Sequence, residues 1–479
     1  MKKEKLFGEF EPFTKADWIN KLEKDLKGKP YSDLTGTNLS GIAIEPIYHT
    51  ESTSPADEAP GSGSFRRSSK STSNEWVIEE EFKLTGQPKQ DNAEILKRLN
   101  AGLTGICTYG NPTTETLKNI LPEYIALGFC GYSDLSVLTQ NLNKAFPNPD
   151  KTNLSRFQLN FDPIGNSAQT GNWTPLSPSI LADVEVLKPY TGWRLFSVNA
   201  QEYHNSGGNA VSELAFALAH AHEYLVFLME NGKSIDDASA LIKIQLGIGG
   251  DYFSEIAKIR AFRMLWSQVI SAYSPKHECS KTAYIQSISS QFLSTVYDPY
   301  VNMLRGTTQA MSAVLGGADI IRILPFDTAF STGDSFSHRI ARNVQIVLQE
   351  ESYFDKVIDP AGGSYYIEYL TNELARKAWE KFQKIEKKGG FLGLMTSGNL
   401  ARELKEDAQA QLDLLNMGKS KILGVTLYPN KNEKALDKIP ELLENEFEEN
   451  PAFAPIELLR LAGELEESRL SEELKEADL

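Results

Sequence analysis

The sequence predicts an α/β protein built on a (β/α)8 barrel, carried by an N-terminal arm and followed by a helical C-terminal tail. Two observations carry the prediction. From Trp76 to about Gly390 short apolar runs alternate with longer helical ones, and the alternation repeats often enough to supply roughly eight units. Strands that alternate with helices imply a parallel sheet, and about eight units is the number that closes a barrel. An open doubly wound sheet fits the same periodicity.

The elements read in order as follows. Trp18, Leu22 and Leu26 recur at helical spacing in the first thirty residues, and Gly41–Tyr48 is a short strand-like run. Between Thr50 and Asn74 the composition shifts to Ser, Thr, Gly and Pro, which predicts a poorly ordered loop or linker. Strand-like runs follow at Gly105–Tyr109, Leu127–Tyr132, Phe157–Asp162, Arg194–Asn199, Ile242–Ile248, Ala283–Ile288 and Ile320–Leu324, with a weaker one at Val357–Asp359. Ser212–Glu230 and Tyr252–Ser271 read as helices, and Thr371–Lys388 carries Leu374, Ala378, Phe382 and Ile385 on one stripe. Beyond Ser420 come one more strand-like piece, Ile422–Tyr428, and an acidic helical tail. The expected organisation is an arm and linker over 1–75, the barrel over 76–420 and an extension over 421–479.

Composition narrows the function classes. A net charge of −15 and a pI near 5.1 argue against nucleic acid, whose binding needs cations to neutralise phosphates. They also disfavour an anionic membrane surface. No uncharged run approaches the roughly 20 residues that span a bilayer, and the polar N-terminus is no signal peptide. The three cysteines, Cys107, Cys130 and Cys279, are far apart in sequence, so spacing suggests neither a disulfide framework nor a metal site. A cytoplasmic protein is expected.

Several segments carry a resemblance: Gly247–Trp266, Tyr300–Arg305 with Ala310-Met311, His338–Gln345, Gln349–Ser352 and Val357–Ser364. They resemble the substrate-binding TIM barrel of the adenosylcobalamin-dependent acyl-CoA mutases, methylmalonyl-CoA mutase above all. The resemblance covers most of the chain, loosely in the arm and more closely from Ser212 to Gly390. It lies mainly in scaffold positions.

Where the catalytic chains of that family carry their chemistry, this sequence departs. Ser68–Ser73 stands in place of a Tyr-rich segment that covers the acyl-CoA. The family's Tyr-His pair after the Arg194–Asn199 strand corresponds to Gln201-Glu202 without gaps, or to Tyr203-His204 after a two-residue shift. The family's Arg-Thr-His-Ser run becomes Tyr284-Ile285-Gln286-Ser287, and a His-rich strand becomes Gly317–Leu324, where Arg322 is the new cation. A site that orients an anionic thioester needs the cations and donors that these exchanges remove. The near-match Glu202-Tyr203-His204-Asn205-Ser206-Gly207 to a cobalt-ligating Asp-x-His-x-x-Gly motif reads as a decoy inside the barrel, and no flavodoxin-like cobalamin domain is expected before Leu479.

The resemblance therefore implies a small, non-catalytic subunit of a heterodimeric mutase. No confident catalytic residue, no cofactor and no metal is expected in this chain, with Tyr203, His204 and Arg322 as vestigial candidates. A large catalytic subunit carrying adenosylcobalamin is the implied partner. The alternative is a substrate-binding subunit of a split acyl-CoA mutase that uses a separate cobalamin-binding chain.

Overall fold

The computed structural model describes residues 11, 13–52, 58–147, 157–187, 192–434 and 448–477. Eight parallel strands close into a barrel: β1 Val77–Lys83, β2 Gly105–Tyr109, β3 Ala126–Cys130, β4 Phe157–Phe161, β5 Arg194–Asn199, β6 Ile242–Ile248, β7 Ile285–Ser289 and β8 Ile320–Arg322. They pair in sequence order, and β8 closes the ring by pairing with both β7 and β1. The open doubly wound sheet is thereby excluded.

One strand differs from expectation. Val357–Asp359 is a turn rather than the eighth strand, and the place is taken by β1, Val-Ile-Glu-Glu-Glu-Phe-Lys. Three successive glutamates hide this strand from a reading based on apolar runs, because its carboxylates are neutralised on both faces of the sheet. Glu80 points outward to Arg342 (2.8 Å) and Arg98 (3.3 Å), whereas Glu79 points inward to Arg322 (2.7 Å).

The helices used below are α1 Lys15–Asp25, α2 Pro88–Asn100, α3 Leu135–Ala145, α4 Pro163–Thr170, α5 Gln201–Asn205, α6 Ala210–Glu230 and α7 Tyr252–Ala272. They continue with α8 Val301–Leu315, α9 Ser335–Ile346, α10 Tyr365–Glu386, α11 Gly390–Thr396, α12 Asn399–Asn416 and α13 Gly463–Ala477. Asn209 caps α6 by accepting from the Val211 and Ser212 amides, as N-cap side chains do. The predicted stripe of α10 is buried at Leu374, Ala378, Phe382 and Ile385. Helix α7 buries three cations, and each is matched. Lys258 pairs with Glu213 and Glu255, Arg260 with Asp359 and Glu368, and Arg263 with Asp319. Buried charges persist only when paired and hydrogen-bonded in this way.

The segment expected as a loose linker is packed over residues 58–74. Phe65, Ser68 and Asn74 are buried, Arg67 pairs with Asp359 (2.9 Å), and Lys70 donates to the Ala318 carbonyl (2.8 Å). Besides α1, the arm contributes a ribbon of two-residue strands, Gly36–Thr37 with Ala43–Ile44, which rests on α10 through Tyr369 and Lys377. Ile422–Tyr428 forms turns instead of a strand. Beyond it, residues 452–461 run across the carboxyl ends of the strands. The amide of Phe453 donates to Gly171, that of Ile456 to Ala168, that of Leu459 to Asn205 and that of Leu461 to Phe292. Helix α13 then docks through Glu466, which accepts from the Val296 amide (2.8 Å), and Glu473, which accepts from the Tyr297 hydroxyl (3.0 Å).

Candidate functional site: the barrel axis and its mouth

Successive side chains of a strand point to opposite faces, so each barrel strand sends alternate residues to the axis. In most of the strands here those residues are polar. Lys243 of β6 reaches across β5 to donate to Gln158 (2.8 Å) and Asn160 of β4, and it also donates to Gln286 of β7 (2.6 Å). Gln286 donates in turn to Glu79 of β1, which accepts from Arg322 of β8 at 2.7 and 3.1 Å. A further Arg322 contact holds Glu81 (2.6 Å). One hydrogen-bonded chain thus spans β4, β6, β7, β1 and β8 through the middle of the barrel. Its members Glu79, Gln158, Lys243 and Gln286 are buried.

Electrostatics agree with a filled interior. Burial pulls the Lys243 ammonium down to about 8, partly offset by Glu79. Burial also opposes the Arg322 charge, yet Glu79 and Glu81 outweigh it and leave that guanidinium firmly protonated. Below this layer Tyr284 closes the floor. Its ring carries the Arg194 guanidinium at 3.5 Å and packs beside Val77, Ala126 and Ile320. Expected to interrupt a substrate pocket, Tyr284 instead plugs the amino end of the axis.

Above the network the mouth holds a cavity of about 490 Å³, lined by Tyr109, Cys130, Tyr132, Asn160 and Asn199 and roofed by Ile456 and Leu458. The two cysteines that sequence spacing keeps apart converge here: Cys107 Sγ and Cys130 Sγ lie 3.3 Å apart on β2 and β3. The parallel pairing of β2 with β3 brings them together.

Of the three predicted candidates, Arg322 lies on the axis, but its charge is spent on Glu79 and Glu81. Tyr203 and His204 face away from the mouth. The Tyr203 hydroxyl meets His220 Nδ1 (2.7 Å), and His220 Nε2 lies 3.0 Å from Asp162, which also accepts from Tyr224 (2.6 Å). Burial raises the Asp162 carboxyl, but His220, Tyr224 and the Asn199 amide outweigh it and hold it below the usual range. The Tyr203–His220 end of this relay is buried between the end of β4 and α6, with Phe391 stacked on His220, whereas Asp162 also lines the mouth cavity. His204 Nε2 meets Ser290 (2.7 Å), and burial, aided by Lys258, drives its pKa down to about 3.

Glu202 lies one residue before Tyr203 on α5. Its carboxyl is raised by burial and further by Asp162 and Glu81. Sequence reasoning offers both registers; it misses Lys243 and Gln286 because interior polar residues leave no apolar signature.

A larger cavity of about 630 Å³ lies off the axis among Leu39, Phe292, Leu304, Ile422 and Leu461. Three ionisable groups in its wall are engaged: His204 by Ser290, Glu255 by Lys258 and Arg305 by the Leu423 carbonyl. What it presents is chiefly apolar surface.

Comparison with known proteins bears on this filled barrel. The sequence model of the family described as methylmalonyl-CoA mutase matches residues 175–462. The chain belongs to the methylmalonyl-CoA mutase family. A protein named methylmalonyl-CoA mutase small subunit from Porphyromonas gingivalis is 32% identical, over 98% of this chain and 79% of its own length. Proteins of the same name from Streptomyces virginiae and from Propionibacterium freudenreichii subsp. shermanii are each 30% identical over 91% of this chain, covering 73% and 72% of their own lengths. Among solved structures, the catalytic domain of a chitinase from Pyrococcus furiosus aligns with 64% of this chain and 96% of its own at 11% identity and a TM-score of 0.28, too remote to bear on function.

The family implies cobalamin, and the described residues do not fit it. A corrin needs an open face and a histidine free to ligate cobalt. The mouth is roofed by Ile456 and Leu458, and the histidine of the near-match motif is buried against Ser290. No described helix is long and apolar enough to cross a membrane.

Proposed function

We propose that this chain is the small, non-catalytic subunit of a heterodimeric methylmalonyl-CoA mutase, whose large subunit carries adenosylcobalamin and interconverts (R)-methylmalonyl-CoA and succinyl-CoA. The observation that carries the reading is the hydrogen-bonded chain from Lys243 through Gln286 and Glu79 to Arg322, which occupies the barrel axis with the protein's own side chains. The similarity to small subunits over nearly the whole chain supports it. Although Glu79 Oε2 has no hydrogen-bond partner, the linked donors and acceptors of this network hold the axial side chains to one another. The role left for such a chain is to dock on and stabilise its partner, since whatever binds the folded state shifts its equilibrium by mass action.

No observation favours the split-mutase alternative, which would need Tyr203-His204 and Arg322 to serve a substrate. The test is co-expression with the large subunit, followed by purification and a mutase assay. Stoichiometric co-purification and turnover confined to the complex are expected. Separate elution of the two chains, or turnover by this chain mixed only with a cobalamin-binding protein, would overturn the reading.

A further inference from the structure

Three potential metal-binding groups meet where the axis opens into the mouth. Cys107 Sγ and Cys130 Sγ are 3.3 Å apart, Cys130 Sγ is 3.8 Å from Glu81 Oε2, and the three donor atoms all lie within 4.8 Å of one another. We propose that Cys107, Cys130 and Glu81 form a binding site for a thiophilic divalent cation of the zinc class, with its fourth position open to the mouth cavity.

The spacing suits that ion. Zinc–sulfur bonds of about 2.3 Å and zinc–oxygen bonds of about 2.0–2.2 Å at tetrahedral angles place donor atoms roughly 3.5–3.8 Å apart. The sulfurs need to separate by only a few tenths of an ångström. Two thiolates and one carboxylate with an open fourth position is the donor set of a soft, four-coordinate site. Gly128 makes room for it, because a Cβ there would meet Cys107 Sγ at 3.0 Å. Asn160 orients one sulfur, donating to Cys107 at 3.4 Å while its carbonyl is held by Lys243, the outer-shell support that metal ligands require. Glu81 is 44% exposed and Cys130 lines the cavity, so an ion can arrive from the carboxyl face.

Charge balance points the same way. The charged side chains of the axis beside the two thiols are Glu79, Glu81, Arg322 and Lys243, two acids against two cations. A single thiolate would break that balance. One divalent cation replacing two thiol protons preserves it. Each sulfur exchanges an S–H bond for an S–metal bond, and both protons leave to solvent through the mouth.

The test is titration of the full chain with Co²⁺ under a phosphine reductant. One equivalent should give a sulfur-to-metal charge-transfer band, release about two protons and be displaced by Zn²⁺. Cys107→Ser and Cys130→Ser should each weaken binding about tenfold or more and diminish the band, and Glu81→Gln should weaken binding while keeping the band. Cys279→Ser, at an exposed cysteine, should change nothing. If a serine variant fails to fold, the proton count on the unaltered chain and the Glu81→Gln titration decide. No saturable band at millimolar Co²⁺, no proton release, or a band that survives loss of both cysteines would overturn the site.

Discussion

Arg322 and Glu79 face each other across the β8–β1 seam at 2.7 Å, with Glu79 only 1% exposed. A cation that reads in the sequence as a new substrate ligand is the partner that lets a carboxylate stay inside the barrel. The neighbouring Glu81 draws on the same guanidinium at 2.6 Å. The pair is thus part of the scaffold, and its energetics are measurable.

Replacing Arg322 by Met leaves Glu79 as an uncompensated buried charge. Breaking one partner of such a pair costs about 3–5 kcal/mol, whereas removing both costs much less. Chemical denaturation of Arg322→Met, Glu79→Gln and the double variant should show the double variant more stable than Arg322→Met alone. Additive losses would mean that the two side chains are not coupled.

Lys258 serves two carboxylates, Glu213 and Glu255, both at 2.6 Å. Burial raises Glu213 to about 7 even though Lys258 opposes the shift. Lys258→Met should therefore destabilise by about 3–5 kcal/mol. It should also extend protonation of the two acids to higher pH. In the variant the folded state then holds protons that the unfolded state has released, so the stability loss grows as pH rises above the ordinary carboxylate range.

His204 gives a pH signature of opposite sense. Its pKa is depressed to about 3 from an ordinary value of 6.5, first by burial and then by Lys258. Between those values the unfolded chain binds the proton and the folded chain does not, so stability present above pH 6.5 is lost as pH falls toward 3. The loss for one such proton is about 1.4 kcal/mol per pH unit. The surrounding charges, Glu213, Glu255 and Lys258, are common to both proteins when His204→Gln is compared with the unaltered chain. The variant should show an acid-limb slope shallower by that amount; an unchanged slope would mean that His204 already titrates normally in the fold.

Gel filtration after mixing the chain with adenosylcobalamin should yield protein without corrin absorbance, because the mouth is roofed and His204 is engaged. Stoichiometric corrin in the protein peak would show that the mouth opens.

Seven of the eight barrel strands are legible in the sequence because their outward faces are apolar, as in Ile242, Ile244, Leu246 and Ile248 of β6. Strand β1 is not, since Glu79, Glu80 and Glu81 owe their place to arginines that include partners distant in sequence. The site is legible as a loss: the exchanged family positions point to missing chemistry. What replaces it is not, because the partners of Lys243 lie 43 to 85 residues away and meet only through barrel closure. Cys107 and Cys130 meet through the register of the neighbouring strands β2 and β3. Helix α5 buries Tyr203 and His204 in the core, a placement that spacing alone does not give.

The central claim is that the axis is filled by the protein's own side chains and that this barrel is not a substrate site. Equilibrium titration of the isolated chain with methylmalonyl-CoA tests it most directly. No saturable binding is expected up to millimolar thioester by the chain alone, with binding only when the large subunit is present. Stoichiometric micromolar binding by the chain alone, weakened by Arg322→Met, would contradict it.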